Sequence, residues 1–134
     1  MKRTRKKQQS KKPSIAISSR KAKARELQKW TAEQIAKVTG YEHGKDKPIE
    51  SRPMGQTGPD IRMEGAVLEL FPFSVECKRQ ESWSVPAWIK QAKDNQIEET
   101  DWLLIARRSH EEPVVIIDAT AFFEIIGQLI SLRY

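Results

Sequence analysis

Two apolar runs, Asp101–Arg107 (DWLLIAR) and Pro113–Asp118 (PVVIID), limit most tightly what this chain can build. Neither alternates apolar with polar residues, so neither is a strand with one wet face. Both read as strands covered on both sides, and such strands need helices to cover them. A Ser-His-Glu-Glu turn joins the two runs, which makes them an antiparallel pair. A third strand is expected over Phe73–Arg79, in the centre of the sheet. Asp60–Glu64 reads as a further strand, and Lys47–Arg52 as a short edge strand, because Pro48 and Pro53 exclude a central one. Gly65–Leu70 fits either a short helical turn or an extension of the hairpin.

Three helices complete the pattern. The first is expected over Ser19–Thr39, with Ser18 or Ser19 as N-cap and Gly40 where a left-handed residue closes the helix. Ala24, Leu27, Thr31, Ile35 and Val38 form a stripe at helical spacing that should face the sheet. The second, Trp83–Glu98, tolerates Pro86 in its first turn, and Trp88, Ala92 and Asn95 share a face. The last, Ala119–Leu132, is capped by Asp118. Its Phe122, Phe123, Ile125, Ile126, Leu129 and Ile130 make it more apolar than a one-sided helix requires, so it either fills the core or supplies a dimer contact. It is too short to span a membrane. The order α-β-β-β-α-β-β-α places the chain in the α/β class, as a mixed β-sheet flanked by helices.

Charge divides the chain. The net charge is +6, yet the first twelve residues hold seven Lys/Arg and no acid, which leaves 17 bases against 18 acids in the remainder. Residues 1–18 read as a basic disordered arm, and 19–134 as a single domain. The first half of the first helix continues the positive character with Arg20, Lys21, Lys23, Arg25 and Lys29. Such blocks contact anionic polymers, nucleic acid above all, and Arg20, Lys21 and Arg25 are candidate DNA contacts. The alternative for the arm is a solubilising terminus. A single cysteine, Cys77, rules out an intrachain disulfide and suits a reducing compartment, and Ile15-Ala16-Ile17 is too short for the core of a signal peptide. A cytoplasmic protein is expected. His43 and His110 fit no zinc spacing and read as loop residues.

The chemistry-bearing residues fall on two stretches, Gly58-Pro59-Asp60 and Val75-Glu76-Cys77-Lys78. Side chains two apart in a strand share a face at roughly 6–7 Å, so Glu76 and Lys78 point the same way while Cys77 points into the packing. With Asp60 opening the neighbouring strand, two carboxylates and one ammonium converge at one sheet edge. Carboxylate oxygens suit hard divalent cations such as magnesium, with manganese as a substitute. The bland alternative is a surface cross-strand pair beside a turn aspartate.

These residues resemble the active-site signature of the PD-(D/E)XK nuclease superfamily. The text GQTGPDIRMEG…LFPFSVECKRQESW…WIKQAKDN resembles its phage- and archaeal-type Holliday junction resolvases, over about Ser19 to Leu132. The resemblance implies a restriction-endonuclease-like fold and a phage or prophage source. It implies magnesium-dependent hydrolysis of DNA phosphodiesters, most of all cutting of four-way junctions by a homodimer. Asp60 and Glu76 would be metal ligands, the Cys77 backbone carbonyl a further one, and Lys78 the catalytic lysine. Glu26 matches the acid that such resolvases carry on the first helix, although partnership with Lys29 explains it as well. Ser51 and Arg52 would grip the scissile phosphate, against a bland reading of Arg52 as a loop residue. Gln91 resembles the glutamine placed beside the site, against a surface residue of an arbitrary helix. Two other functions stay open: a structure-selective or nonspecific nuclease or nickase of the same fold, and a non-catalytic basic nucleic-acid-binding protein.

Overall fold

The structure is a computed structural model that describes residues 12–53 and 56–133. Nine elements follow in order: α1 (Lys12–Thr39), β1 (Ile49–Ser51), β2 (Ile61–Met63), α2 (Gly65–Leu70), β3 (Phe73–Arg79), α3 (Val85–Asp94), β4 (Asp101–Arg107), β5 (Val114–Ile117) and α4 (Ala119–Arg133). The mixed α/β class is as expected. β3 and β4 run parallel from Phe73 beside Asp101 to Arg79 beside Arg107, with α3 as the crossover, and β5 returns antiparallel to β4. β1 and β2 form a separate antiparallel ladder, with Ile49 opposite Met63. The single expected sheet is thus two small ones among the described residues. They are stitched together where the Asp60 amide donates to the Val75 carbonyl at 2.8 Å.

Period-two alternation along β3 decides what each helix covers. Phe73, Val75 and Cys77 point to the α1 side, where Leu27, Ala32 and Ile35 pack with Ile49, Ile61, Val67, Leu103 and Ile105. The opposite face, built on Trp102, Leu104 and Ala106, is covered by Trp88 and Ala92 of α3. That is why β4 is buried from Trp102 to Ala106 without alternation. It also puts Ser74, Glu76 and Lys78 on the α3 side of β3.

Several boundaries differ from expectation, each for a local reason. α1 starts at Lys12, seven residues before Ser19, because Pro13 falls in its first turn, where a missing N–H breaks no helical bond. Helix therefore replaces the last part of the expected arm, and residues 1–11 lie outside the described residues. Val38, assigned to the core stripe, is 73% exposed; the buried side of α1 runs instead through Leu27, Gln28, Thr31, Ala32 and Ile35. Gly65–Leu70 takes the helical option. Asp60 precedes β2 rather than opening it, and α3 is trimmed to Val85–Asp94.

α4 stands apart. Ala121 is its only buried residue, and no α4 side chain belongs to either core cluster. The option that α4 fills the core is therefore not realised. No helix among the described residues is long and apolar enough to cross a membrane.

Candidate active site at the free edge of β3

β3 pairs with β4 along one edge, and its other edge is where Asp60 docks. Two hydrogen bonds hold Asp60 there: its amide donates to the Val75 carbonyl at 2.8 Å, and its Oδ2 accepts the Cys77 amide at 2.8 Å. The Arg52 amide donates to the Asp60 carbonyl at 2.7 Å, which ties the end of β1 to the same point. Such a clamp needs a sharp approach, and Gly58, at φ +94°, makes it. A Cβ at Gly58 would sit 3.5 Å from the Arg52 guanidinium carbon, so Arg52 lies folded against this turn. Its Nε is buried without a hydrogen-bond partner among the described residues.

Glu76 lies beside Asp60 and is 2% exposed. Burial pushes its carboxyl up to about 7, and the neighbouring Asp60 charge adds to the rise, while the Asn95 hydrogen bond opposes it. Asn95, at the C-cap of α3, donates from Nδ2 to Glu76 Oε1 at 2.8 Å. One helical turn earlier, Gln91 Oε1 accepts from Lys78 Nζ at 2.5 Å. The i, i+4 spacing of Gln91 and Asn95 matches the i, i+2 spacing of Lys78 and Glu76, so one face of α3 holds both charged groups of the strand. The loop that ends α3 is pinned in turn: the Ile97 amide donates to Ser74 Oγ at 2.9 Å, and Ser74 shares a 2.7 Å hydroxyl bond with Thr100.

Cys77 plays a different part. Burial drives its thiol far above the usual thiol range, so it stays protonated and donates to Thr31 Oγ1 at 3.6 Å. Thr31 Oγ1 itself donates to the Leu27 carbonyl. In a strand the N–H and C=O of one residue point to the same edge, so the Cys77 carbonyl lies on the Asp60 side.

The donor set suits a hard divalent cation. Asp60 and Glu76 each spend one oxygen on the hydrogen bonds above, and the two carboxyl groups lie against each other. The Cys77 carbonyl points to the same edge. Magnesium is commonly held by one or two carboxylates, completed by water and substrate phosphate, so a pair suffices. The structure does not bring Glu26 to this pair. Glu26 is exposed and lines a separate crevice with Arg79, Arg107 and His110, because the helix turn facing Cys77 is Leu27–Thr31. No cluster of three or more His, Cys, Asp or Glu is found among the described residues.

The first half of α1 and the end of β3 enclose an open cleft of about 740 Å³, which Lys78 lines but Asp60 and Glu76 do not. Arg20, Lys21 and Lys23 line it from the helix, and Lys78 and Arg79 from the strand. Its one acid, Glu81, is occupied by Arg79 at 2.8 Å and by Ser109. Arg25 is exposed on α1 outside the cleft, and Ser51 is the last residue of β1, next to Arg52. Asn95, Lys23 and Arg79 join the residues expected from the sequence. Asn95 carried a usable signal, four residues after Gln91 on one helical face. Arg79 gave none, because its position follows from where α1 crosses the strand.

Comparison of the chain with protein-family models, with curated proteins and with solved structures finds no match in any of the three.

Proposed function

We propose that the protein is a metal-dependent DNA endonuclease of the restriction-endonuclease-like type, and that its substrate is the four-way junction. The observation that carries the reading is the Asp60–Glu76 carboxylate pair with Lys78 two residues further along β3, and Lys78 is also one of five cations that line the cleft between α1 and the end of that strand. Parallel β3 and β4, with α1 on one face and α3 on the other, support the fold assignment. A cation held by Asp60, Glu76 and the Cys77 carbonyl would supply Lewis acidity toward a phosphoryl oxygen.

The chain's own residues do the rest. Lys78 donates to oxygen without competing for the cation, and so orients a water or stabilises charge on the phosphate. Gln91 holds the Lys78 ammonium in place, and Asn95 holds Glu76. Arg20, Lys21 and Lys23 bind backbone phosphates with little regard to sequence. Arg52 lies folded against the turn that carries Asp60, and a guanidinium fork suits phosphate. Cutting two strands of a junction symmetrically calls for a twofold dimer.

Cleavage of a labelled four-way junction, beside flap, single-stranded and linear DNA at equal concentration, tests this. Paired cuts in magnesium or manganese that Asp60→Asn abolishes are expected, with a rate loss of at least about a thousandfold. Metal-dependent cutting that ignores branching would keep the active site and discard the junction. Tight, salt-sensitive binding with no cutting in either metal would replace the enzyme with a binding protein.

A further inference from the structure

Large apolar side chains stand exposed along α4. Phe122, Phe123, Ile125, Leu129, Ile130 and Leu132 are each between 40% and 86% open, and on β5 just before it Val114 and Val115 are open as well. A helix that is apolar on most of its circumference is normally covered. The one buried residue, Ala121, sits two positions before Phe123 and so on nearly the opposite side of the helix. Phe123, Gly127 and Ile130, at i, i+4 and i+7, define the line that faces away from the domain.

Gly127 sharpens the point. A glycine inside a helix costs about 1 kcal/mol relative to alanine, so its presence asks for a packing reason. Within the described residues there is none, since a Cβ built there meets nothing within 4 Å. A flat spot on an apolar helix face is what lets a second helix approach closely.

We propose that this face is covered by the same face of a second copy of the chain, with the two α4 helices crossing near Gly127. Four observations select that occupant. Eight large apolar side chains of α4 and β5 stand at least 40% open, the material from which the apolar core of an interface is built. α4 carries only Glu124 and Arg133 as charges, neither on the Phe123–Gly127–Ile130 line. Side chains near a twofold axis meet their own copies, so an uncharged line fits self-association. The chain's own first eleven residues contain no apolar side chain but Met1, so they supply nothing to cover the face. A single base on α4 does not make the Lys/Arg-rich polar face of a membrane-surface helix.

This inference names the contact a two-strand-cutting enzyme would use, but it does not rest on the nuclease reading, and its test uses neither DNA nor metal. Sedimentation equilibrium of the full chain over about 1 to 100 µM should give twice the chain mass. Phe123→Glu and, separately, Gly127→Arg should each yield a monomer with unchanged far-UV circular dichroism. The dissociation constant should rise at least about a hundredfold. A wild-type monomer throughout that range would overturn the proposal, as would variants that dimerise like wild type. Loss of the folded spectrum in both variants would also overturn it, by making α4 part of the monomer's own core. So would a wild-type monomer that instead binds neutral phosphatidylcholine vesicles through α4.

Discussion

Glu76 and Phe123 are misplaced in opposite senses. Glu76 is a carboxylate, 2% exposed on the edge strand β3 rather than on the central strand expected from the sequence; Phe123 is an aromatic, 69% exposed on a helix. Burying the carboxylate disfavours its charged form, and leaving the ring in water forgoes the gain of burial. A chain tolerates such local conflicts where something else is served by them. At Glu76 the surroundings show what is served: Asp60 is clamped beside it and Asn95 holds one of its oxygens. At Phe123 the surroundings show only an apolar face with a glycine at its middle. A buried charge therefore reports on what the site holds, and an exposed ring on what the surface meets.

The largest effect that sharpens this contrast is on stability. Leu104 is fully buried between Trp88 and Ala92 of α3 and the strand, so Leu104→Ala should cost about 2–5 kcal/mol in urea unfolding. Phe123→Ala, a larger truncation, should change the unfolding free energy by no more than about 0.5 kcal/mol at concentrations where the chain is monomeric. Comparable losses from both would place α4 in the core and dissolve the comparison.

Next comes Glu76→Gln. Its carboxyl is raised from the ordinary 4.5 to about 7, so burial leaves stability intact below pH 4.5 and erodes it progressively as pH rises through 7. In metal-free buffer at pH 8 the glutamine should therefore be the more stable protein, by roughly 3 kcal/mol, and indistinguishable at pH 4. Thermal melts at the two pH values read the difference. Equal melting of the two proteins at pH 8 would mean that Glu76 is not a strained acid.

Asn95→Ala tests the support rather than the acid. Removing a group that orients a ligand typically lowers activity about 10–100-fold, and the effect should appear in the metal concentration needed for half-maximal cleavage. Asn95→Asp, which sets a third carboxylate against Glu76, should push the Glu76 midpoint higher still.

Strong patterns were legible in the sequence. β3, β4 and the start of α4 fall where the apolar runs put them, because long unbroken runs leave few alternatives. That Glu76 and Lys78 share one face of β3 was legible from strand periodicity, whereas the docking of Asp60 against the strand edge from the turn before β2 was not. What stayed hidden depends on tertiary packing. The buried side of α1 turns away from Val38 because the helix outruns the sheet it covers. Glu26 lies at the edge of that helix's apolar stripe, and only the crossing of α1 over β3 decides that Leu27 and Thr31, not Glu26, face the strand. The polar link from Asn95 to Glu76 needs both the end of α3 and the register of β3, and neither is written locally.

The most direct test of the central claim follows the Glu76 carboxyl itself, by carbon-detected NMR titration of the side chain with and without magnesium. If Asp60 and Glu76 together hold the cation, the midpoint should stand near 7 without magnesium and fall by at least about one unit in its presence, since a bound cation favours the ionised form. Asp60→Asn should abolish the magnesium-dependent displacement. A midpoint that magnesium leaves unmoved in the wild-type protein would contradict the account.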